Sequence, residues 1–165
     1  MLDEQFAREF AERYVEAWNS YDAERIEPLV TRDVVWLDPA LPEPARGVEE
    51  VKGFMQSAWV AFPDLHFTSG PMWLDPHGDS MSWAWRMQGT HGGPLDPPGF
   101  APTGRRIDID GIQVWDFADG RIDRNRAYYD MALVARQLGV MPPPGSRFER
   151  VGVMLQRAQV RFARH

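Results

Sequence analysis

The stretch Pro102–Asp130, PTGRRIDIDGIQVWDFADGRIDRNRAYYD, constrains the fold more than any other part of the chain. It reads as two long antiparallel strands joined at Asp119-Gly120, a dipeptide suited to a tight hairpin turn because glycine tolerates positive φ. A two-residue loop pairs Ala118 with Arg121 and sets Gln113 opposite Arg126. Side chains alternate between faces along a strand. One face then carries Ile109, Gln113, Trp115 and Phe117 with Ile122, Arg126, Tyr128 and Asp130. The other carries Asp108, Asp110, Asp116, Arg121, Asp123 and Asn125, interrupted by Ile112, Val114, Ala127 and Tyr129.

The first face is mostly apolar and is predicted to be buried, yet it holds a carboxylate, a guanidinium and an amide. Buried polar groups need partners or a chemical role. Either Arg126 pairs with Asp130 in a closed core network, or these groups line a pocket. A one-residue bulge would exchange the faces beyond it.

The remainder of the chain bears on that choice. With 165 residues it is long enough for one domain with a real core. Its 12% aromatic content, 7 Trp included, suits a wall around an apolar cavity. A net charge of −6 argues against nucleic acid as a partner. There is no Cys, and His66, His77, His91 and His165 lack metal-ligand spacing, so no metal is expected. The N-terminus is acidic and no apolar run approaches a membrane span, which predicts a soluble, cytoplasmic protein.

In chain order, residues 3–19 predict an amphipathic helix with Phe6, Phe10, Tyr14 and Trp18 on one face. Asp22 is an N-cap for a short helix to about Val30, with Pro28 late in it. Residues 34–39 predict a strand ending at Asp38-Pro39, where proline keeps the aspartate out of the helical region. Residues 48–62 predict a third helix, followed by strands over 64–74 and 80–90. The proline-rich loop 89–104 is long enough to serve as a rim or lid.

After the hairpin come a short helix over 131–138, a linker over 141–145 and a last helix over 147–162. Residues 1–140 form the domain. The tail 141–165 holds five Arg against one Glu, while the remainder carries thirteen basic and twenty-three acidic residues. A basic helix with the stripe Phe148, Val151, Leu155, Phe162 is expected to dock on the acidic domain or on a dimer partner.

This order predicts an α+β fold with helices gathered on one side of a curved, mainly antiparallel sheet. With Ala61-Phe62-Pro63-Asp64-Leu65, Gly89-Thr90-His91, Pro102-Thr103-Gly104-Arg105, Asp119-Gly120-Arg121-Ile122 and Ala127-Tyr128-Tyr129-Asp130 leading to Gln137-Leu138-Gly139, it resembles the nuclear transport factor two-like superfamily. Within that superfamily it resembles the SnoaL-like polyketide cyclases. The resemblance covers residues 5 to 140 and implies a cone that encloses a pocket, a mixed or antiparallel sheet, and a homodimer formed through the sheet's outer face.

It also implies roles. In SnoaL-like cyclases the aspartate ending the last strand is the acid/base, and Asp130 matches it; Arg124-Asn125-Arg126 departs from the usual Glu-His-Trp before it. The segments RYVEAWNSYD and VVWLDP resemble ketosteroid isomerase, with Tyr14 on its oxyanion tyrosine, Asp38 on its base and Gln113 near its second donor. Residues 102–130 also resemble limonene epoxide hydrolase, with Arg86 as its pocket arginine but Gln88 where its second acid should stand.

Cyclase and isomerase share the same chemistry, in which a carboxylate takes a proton from carbon next to a carbonyl while donors stabilise the enolate oxygen. No cofactor is required. The expected substrate is a small apolar carbonyl compound, and the expected class is cyclase, isomerase or lyase. Asp130 is expected as the principal base and Asp38 as its rival, with Tyr14, His91 and Gln113 as donors. Gln113, Arg126, Trp36, Tyr128 and Arg86 are the expected substrate-binding residues. A small-molecule-binding or dimerisation module without turnover is the alternative.

Overall fold

The computed structural model describes residues 2–97 and 99–162, the last two by backbone alone. Arg164 and His165 lie outside the described residues, as do the side chains of Arg161 and Phe162. Helix α1, Glu4–Asn19, starts where the Asp3 side chain accepts the Phe6 amide, and it buries Ala7, Phe10, Ala11, Tyr14, Ala17 and Trp18. A 3-10 helix at Ala23–Leu29 follows, capped by Asp22 and containing Pro28. The strands are β1 Val30–Leu37, β2 Ala45–Arg46, β3 His66–Leu74, β4 Ser80–Thr90, β5 Arg106–Ala118 and β6 Arg121–Tyr129. Helices α2, Gly47–Ala61, α3, Met131–Leu138, and α4, Arg147–Phe162, complete the order.

The six strands form one sheet in the order β2-β1-β6-β5-β4-β3. Among the described strands only the β1–β6 pair is parallel, so the α+β architecture has a mixed sheet. Its inner face meets α1 through aromatic contacts: Tyr14 lies 4.7 Å from Trp115 and 5.3 Å from Trp83 between ring centroids. Asn19 ties the end of α1 to β3, donating to the Phe67 carbonyl at 2.9 Å and accepting the Phe67 amide at 2.8 Å. The Trp59 indole of α2 donates to the Trp18 carbonyl at 3.1 Å.

The hairpin turn forms as its sequence requires: Asp119 and Gly120 have φ of 50° and 73°, and Ala118 pairs with Arg121. Beyond it the register departs from the simple expectation. Phe117 pairs with Ile122, but Asp116 pairs with Arg124, so Asp123 is an extra residue on β6. The Asp123 carboxylate accepts the Thr31 hydroxyl at 3.0 Å, and the β1–β6 register shifts over the same region. Gln113 therefore faces Ala127 rather than Arg126. The bulge turns Asn125, Ala127 and Tyr129 inward and sends Arg126 and Tyr128 out.

Helix α4, expected to dock on the domain or on a dimer partner, is exposed along its described side chains. Residues 147–160 are all exposed, Phe148 at 80%. Local bonds support the start of the helix: Ser146 Oγ accepts the Glu149 amide, and the Glu149 carboxylate accepts the Gly145 amide. Among the described residues no helix is long and apolar enough to cross a membrane.

Candidate active site

A cavity of about 90 Å³, room for several water molecules, opens between α1, α2, α3 and the inner face of the sheet. Trp18, Phe54, Ala58 and Phe62 line its helical side. Phe67, Trp85, Met87, Ile107, Gln113 and Tyr129 line the sheet side. Leu95, Asp96 and Pro97 come from the long loop, and Met131 and Val134 from α3. Helix α3 is fixed to β5 by Gln137, which donates to the Asp108 carbonyl and accepts the Asp108 amide, both at 2.9 Å.

Asp38 enters from the end of β1. Its Oδ1 accepts the Tyr129 hydroxyl at 2.6 Å and the Ala40 amide at 2.9 Å, while Oδ2 has no hydrogen-bond partner among the described residues. Burial pushes the carboxyl above the ordinary aspartate range, against the pull of those two donors. The Tyr129 phenol is pushed far up, by burial first and then by the charge on Asp38, and so keeps its proton. One carboxylate oxygen is held and the other is free to act.

A second pair lies deeper. Gln113 donates to the Tyr14 hydroxyl at 3.0 Å, and its own Oε1 is buried without a partner. Burial raises the Tyr14 pKa strongly, with the Gln113 bond opposing it, so the phenol is neutral. Gln113 lines the cavity, whereas Tyr14 stands behind it in the core.

The other expected residues fall elsewhere. Asp130 caps α3, accepting the Leu133 amide at 2.9 Å with Arg136 at 3.4 Å, and does not line the cavity. The bulge is the reason: Tyr129 takes the inward position, so the next residue leaves the sheet. Arg126 is on the outer face, paired at 2.6 Å with Asp116 and not with Asp130. Tyr128 is 58% exposed on that same face.

Arg86 also points outward, holding the Asp108 carboxylate by two bonds of 2.6 Å and drawing its pKa down to about 2. Trp36 is a fully buried core residue beside Tyr14. His91 is fully buried, yet it sits at the neck of the loop, where its Nδ1 accepts the Thr103 amide at 3.3 Å. Burial pushes its pKa below the usual histidine value. It does not line the cavity.

Tyr129 and Trp85 are the residues that sequence reasoning misses. Strict alternation puts Tyr129 on the polar face, and the period-two pattern of β4 does not say which side faces the pocket. Two adjacent tyrosines at a strand end are the available signal, since one of them must point inward.

A family model for SnoaL-like polyketide cyclases matches residues 8–138. The chain belongs to this family. No curated protein matches it. Among solved structures, TsrD from Streptomyces laurentii is 22% identical with a TM-score of 0.74, over 86% of this chain and 100% of that one. AclR from Streptomyces galilaeus, described as a candidate hydroxylase, is 22% identical with a TM-score of 0.69 over 96% of each chain. IdmH from Streptomyces antibioticus, described as a candidate polyketide cyclase, is 26% identical with a TM-score of 0.66 over 80% and 97%. The first two likenesses establish the nuclear transport factor two-like fold alone, and the fold hosts more than one activity.

Proposed function

We propose that this SnoaL-like protein is a cofactor-independent acid/base enzyme for a small apolar carbonyl compound, with Asp38 as its general base. The observation that carries this reading is the Asp38 carboxylate, half held by Tyr129 and Ala40, with Oδ2 unpaired beside an apolar cavity. Its raised pKa makes it a stronger base than a solvated aspartate. Oδ2 takes the proton from the carbon next to the carbonyl, and the electron pair of that C–H bond becomes the enolate. The second N–H of the Gln113 amide, oriented by the bond to Tyr14, supplies a donor to the enolate oxygen.

Attack of the enolate carbon on a second carbonyl of the same molecule closes a ring as an aldol cyclase does. Return of the proton to a different carbon gives an isomerase instead. The Tyr14–Gln113 pair favours keeping this second reading, because it serves an enolate whatever the next step.

On the outer face of the sheet, the cross-strand pair Ile112 and Tyr128 is exposed at 40% and 58%, which supports a homodimer through that face.

The test is deuterium exchange at the α carbon of a cyclic aryl ketone. Asp38→Asn is expected to slow exchange roughly a hundredfold to ten-thousandfold, the ordinary cost of losing a general base, while Asp130→Asn exchanges at the wild-type rate. Wild-type exchange in Asp38→Asn overturns the assignment. Light scattering at micromolar concentration tests the dimer.

A further inference from the structure

Half of the buried indole N–H groups of this aromatic core are spoken for. Trp59 donates to the Trp18 carbonyl at 3.1 Å, Trp83 to Ser69 Oγ at 2.8 Å and Trp115 to Asn125 Oδ1 at 2.9 Å. Trp85 is different. Its side chain is only 4% exposed and lines the cavity, yet its Nε1 is buried without a partner. The rings of Phe67 and Tyr129 meet it edge-on at 5.4 and 5.6 Å, and the Tyr129 hydroxyl hydrogen is given to Asp38. A buried donor left unpaired is costly, and native structures seldom keep one without a use.

Trp36 and Trp18 also lack a close partner for their N–H; Trp36 lies in the core and not on the cavity, while Trp18, on the cavity wall, turns its N–H toward the Tyr14 hydroxyl, whose pKa it helps to lower. A donor on the cavity wall with no neighbouring acceptor to lean on separates Trp85 from both. The seat is also shaped for the ring: Trp85 pairs with Gly111 across β4 and β5, and a Cβ on Gly111 would stand 2.2 Å from Trp85 Cζ2. Two residues further on the same face of β5, Gln113 lines the cavity with its Oε1 unpaired. A donor and an acceptor thus stand at diagonal cross-strand positions on one wall, roughly 7 Å apart at the backbone.

We propose that the Trp85 N–H is a further donor to the carbonyl oxygen of the substrate beside the Gln113 N–H, with the Gln113 amide oxygen receiving a hydroxyl of the same molecule. The ligand class is a largely apolar hydroxy ketone. This rests on reading the cavity as the substrate site, but not on Asp38 being the base.

The experiment compares binding of 1-indanone and indane, two bicyclic probes that differ by the carbonyl oxygen, to the full-length protein. Wild type is expected to prefer the ketone, and Trp85→Phe to lower that preference about five- to tenfold, the loss of one hydrogen bond. Trp36→Phe is expected to leave the preference intact. Equal weakening of both probes in Trp85→Phe would assign the indole to packing alone and overturn the proposal, as would an unchanged preference.

Should Trp85→Phe fail to fold, the indole ¹⁵N–¹H signal of Trp85 in the wild type decides: it shifts with 1-indanone and not with indane, or the idea is wrong. Asp38→Asn separates the two readings. If it keeps the ketone preference while losing exchange, both stand; if it exchanges normally, only the base assignment falls. If neither probe binds the wild type, the cavity reading and this inference fall together.

Discussion

Tyr129 donates a 2.6 Å hydrogen bond to Asp38 across the parallel β1–β6 pair, joining a carboxylate and a phenol that are 91 positions apart in sequence. On the proposed reading, this bond tunes the pH at which the carboxylate works. Burial raises the Asp38 pKa and the Tyr129 donor lowers it. Tyr129→Phe removes the donor and keeps the ring, so the Asp38 pKa rises further. A base works only when ionised, so the acid limb of the exchange rate against pH is expected to move to higher pH. An unmoved limb would show that the bond does not tune the carboxylate.

The same raised pKa has a stability consequence with a definite sign. A carboxyl whose folded pKa lies above its unfolded one binds protons more readily when folded. Its contribution is therefore lost as pH rises from the unfolded value through the folded value, and the charged form costs stability at neutral pH. Asp38→Asn is expected to raise the melting temperature at pH 7, with the gain shrinking below about pH 4, the unfolded aspartate value. A lower melting temperature at pH 7 would mean that the ionised form is the better fitted one.

Asp130 separates a capping role from a catalytic one. Its carboxylate accepts the Leu133 amide at the start of α3. Asp130→Ala is expected to destabilise by about 1 kcal/mol, the usual cost of a lost N-cap, and Asp130→Asn by little, since asparagine caps as well. Thermal unfolding of the two variants checks this. Equal destabilisation would point to charge rather than the cap.

How far the sequence reaches is clear from these residues. The Asp119-Gly120 turn is legible because a two-residue hairpin loop demands positive φ. Asp38 is legible from its place at a strand end before proline and from the isomerase-like segments. The frame beyond Asp123 is not, because a single inserted residue leaves an alternation that looks sound on either face. From that one residue follow the exchange of Tyr128 with Tyr129, the outward turn of Arg126 and the removal of Asp130 from the cavity. His91 misleads differently: its burial is real, but its place at the loop neck depends on Thr103, twelve positions away.

The buried ammonium of Lys52 is expected to matter out of proportion to its surroundings. It meets Glu24 at 2.8 Å, Glu27 at 3.0 Å and Glu49 at 3.3 Å, joining the 3-10 helix to α2. Lys52→Met keeps the aliphatic stem and leaves three carboxylates without their shared cation. The melting temperature should fall by several degrees at low salt and partly recover in 1 M NaCl, where like charges are screened within about 3 Å. Salt-independent loss would assign the effect to packing.

Gly111 offers the sharpest test of how the cavity is shaped. A Cβ there would stand 2.2 Å from Trp85 Cζ2 and 2.5 Å from Cη2, distances that real contacts do not show, so the indole must move in Gly111→Ala. The wall on one side is the β4 backbone, and Phe67 and Tyr129 flank the ring, which leaves the cavity as the open direction. Overpacking of this kind costs about 1–3 kcal/mol, and the displaced ring should also take up ligand space. Gly111→Ala is therefore expected to lower the melting temperature and weaken 1-indanone and indane together. That pattern differs from Trp85→Phe, which is expected to change their ratio. If Gly111→Ala binds both probes as the wild type does, Trp85 has found room elsewhere, and the glycine does not set the depth of the site.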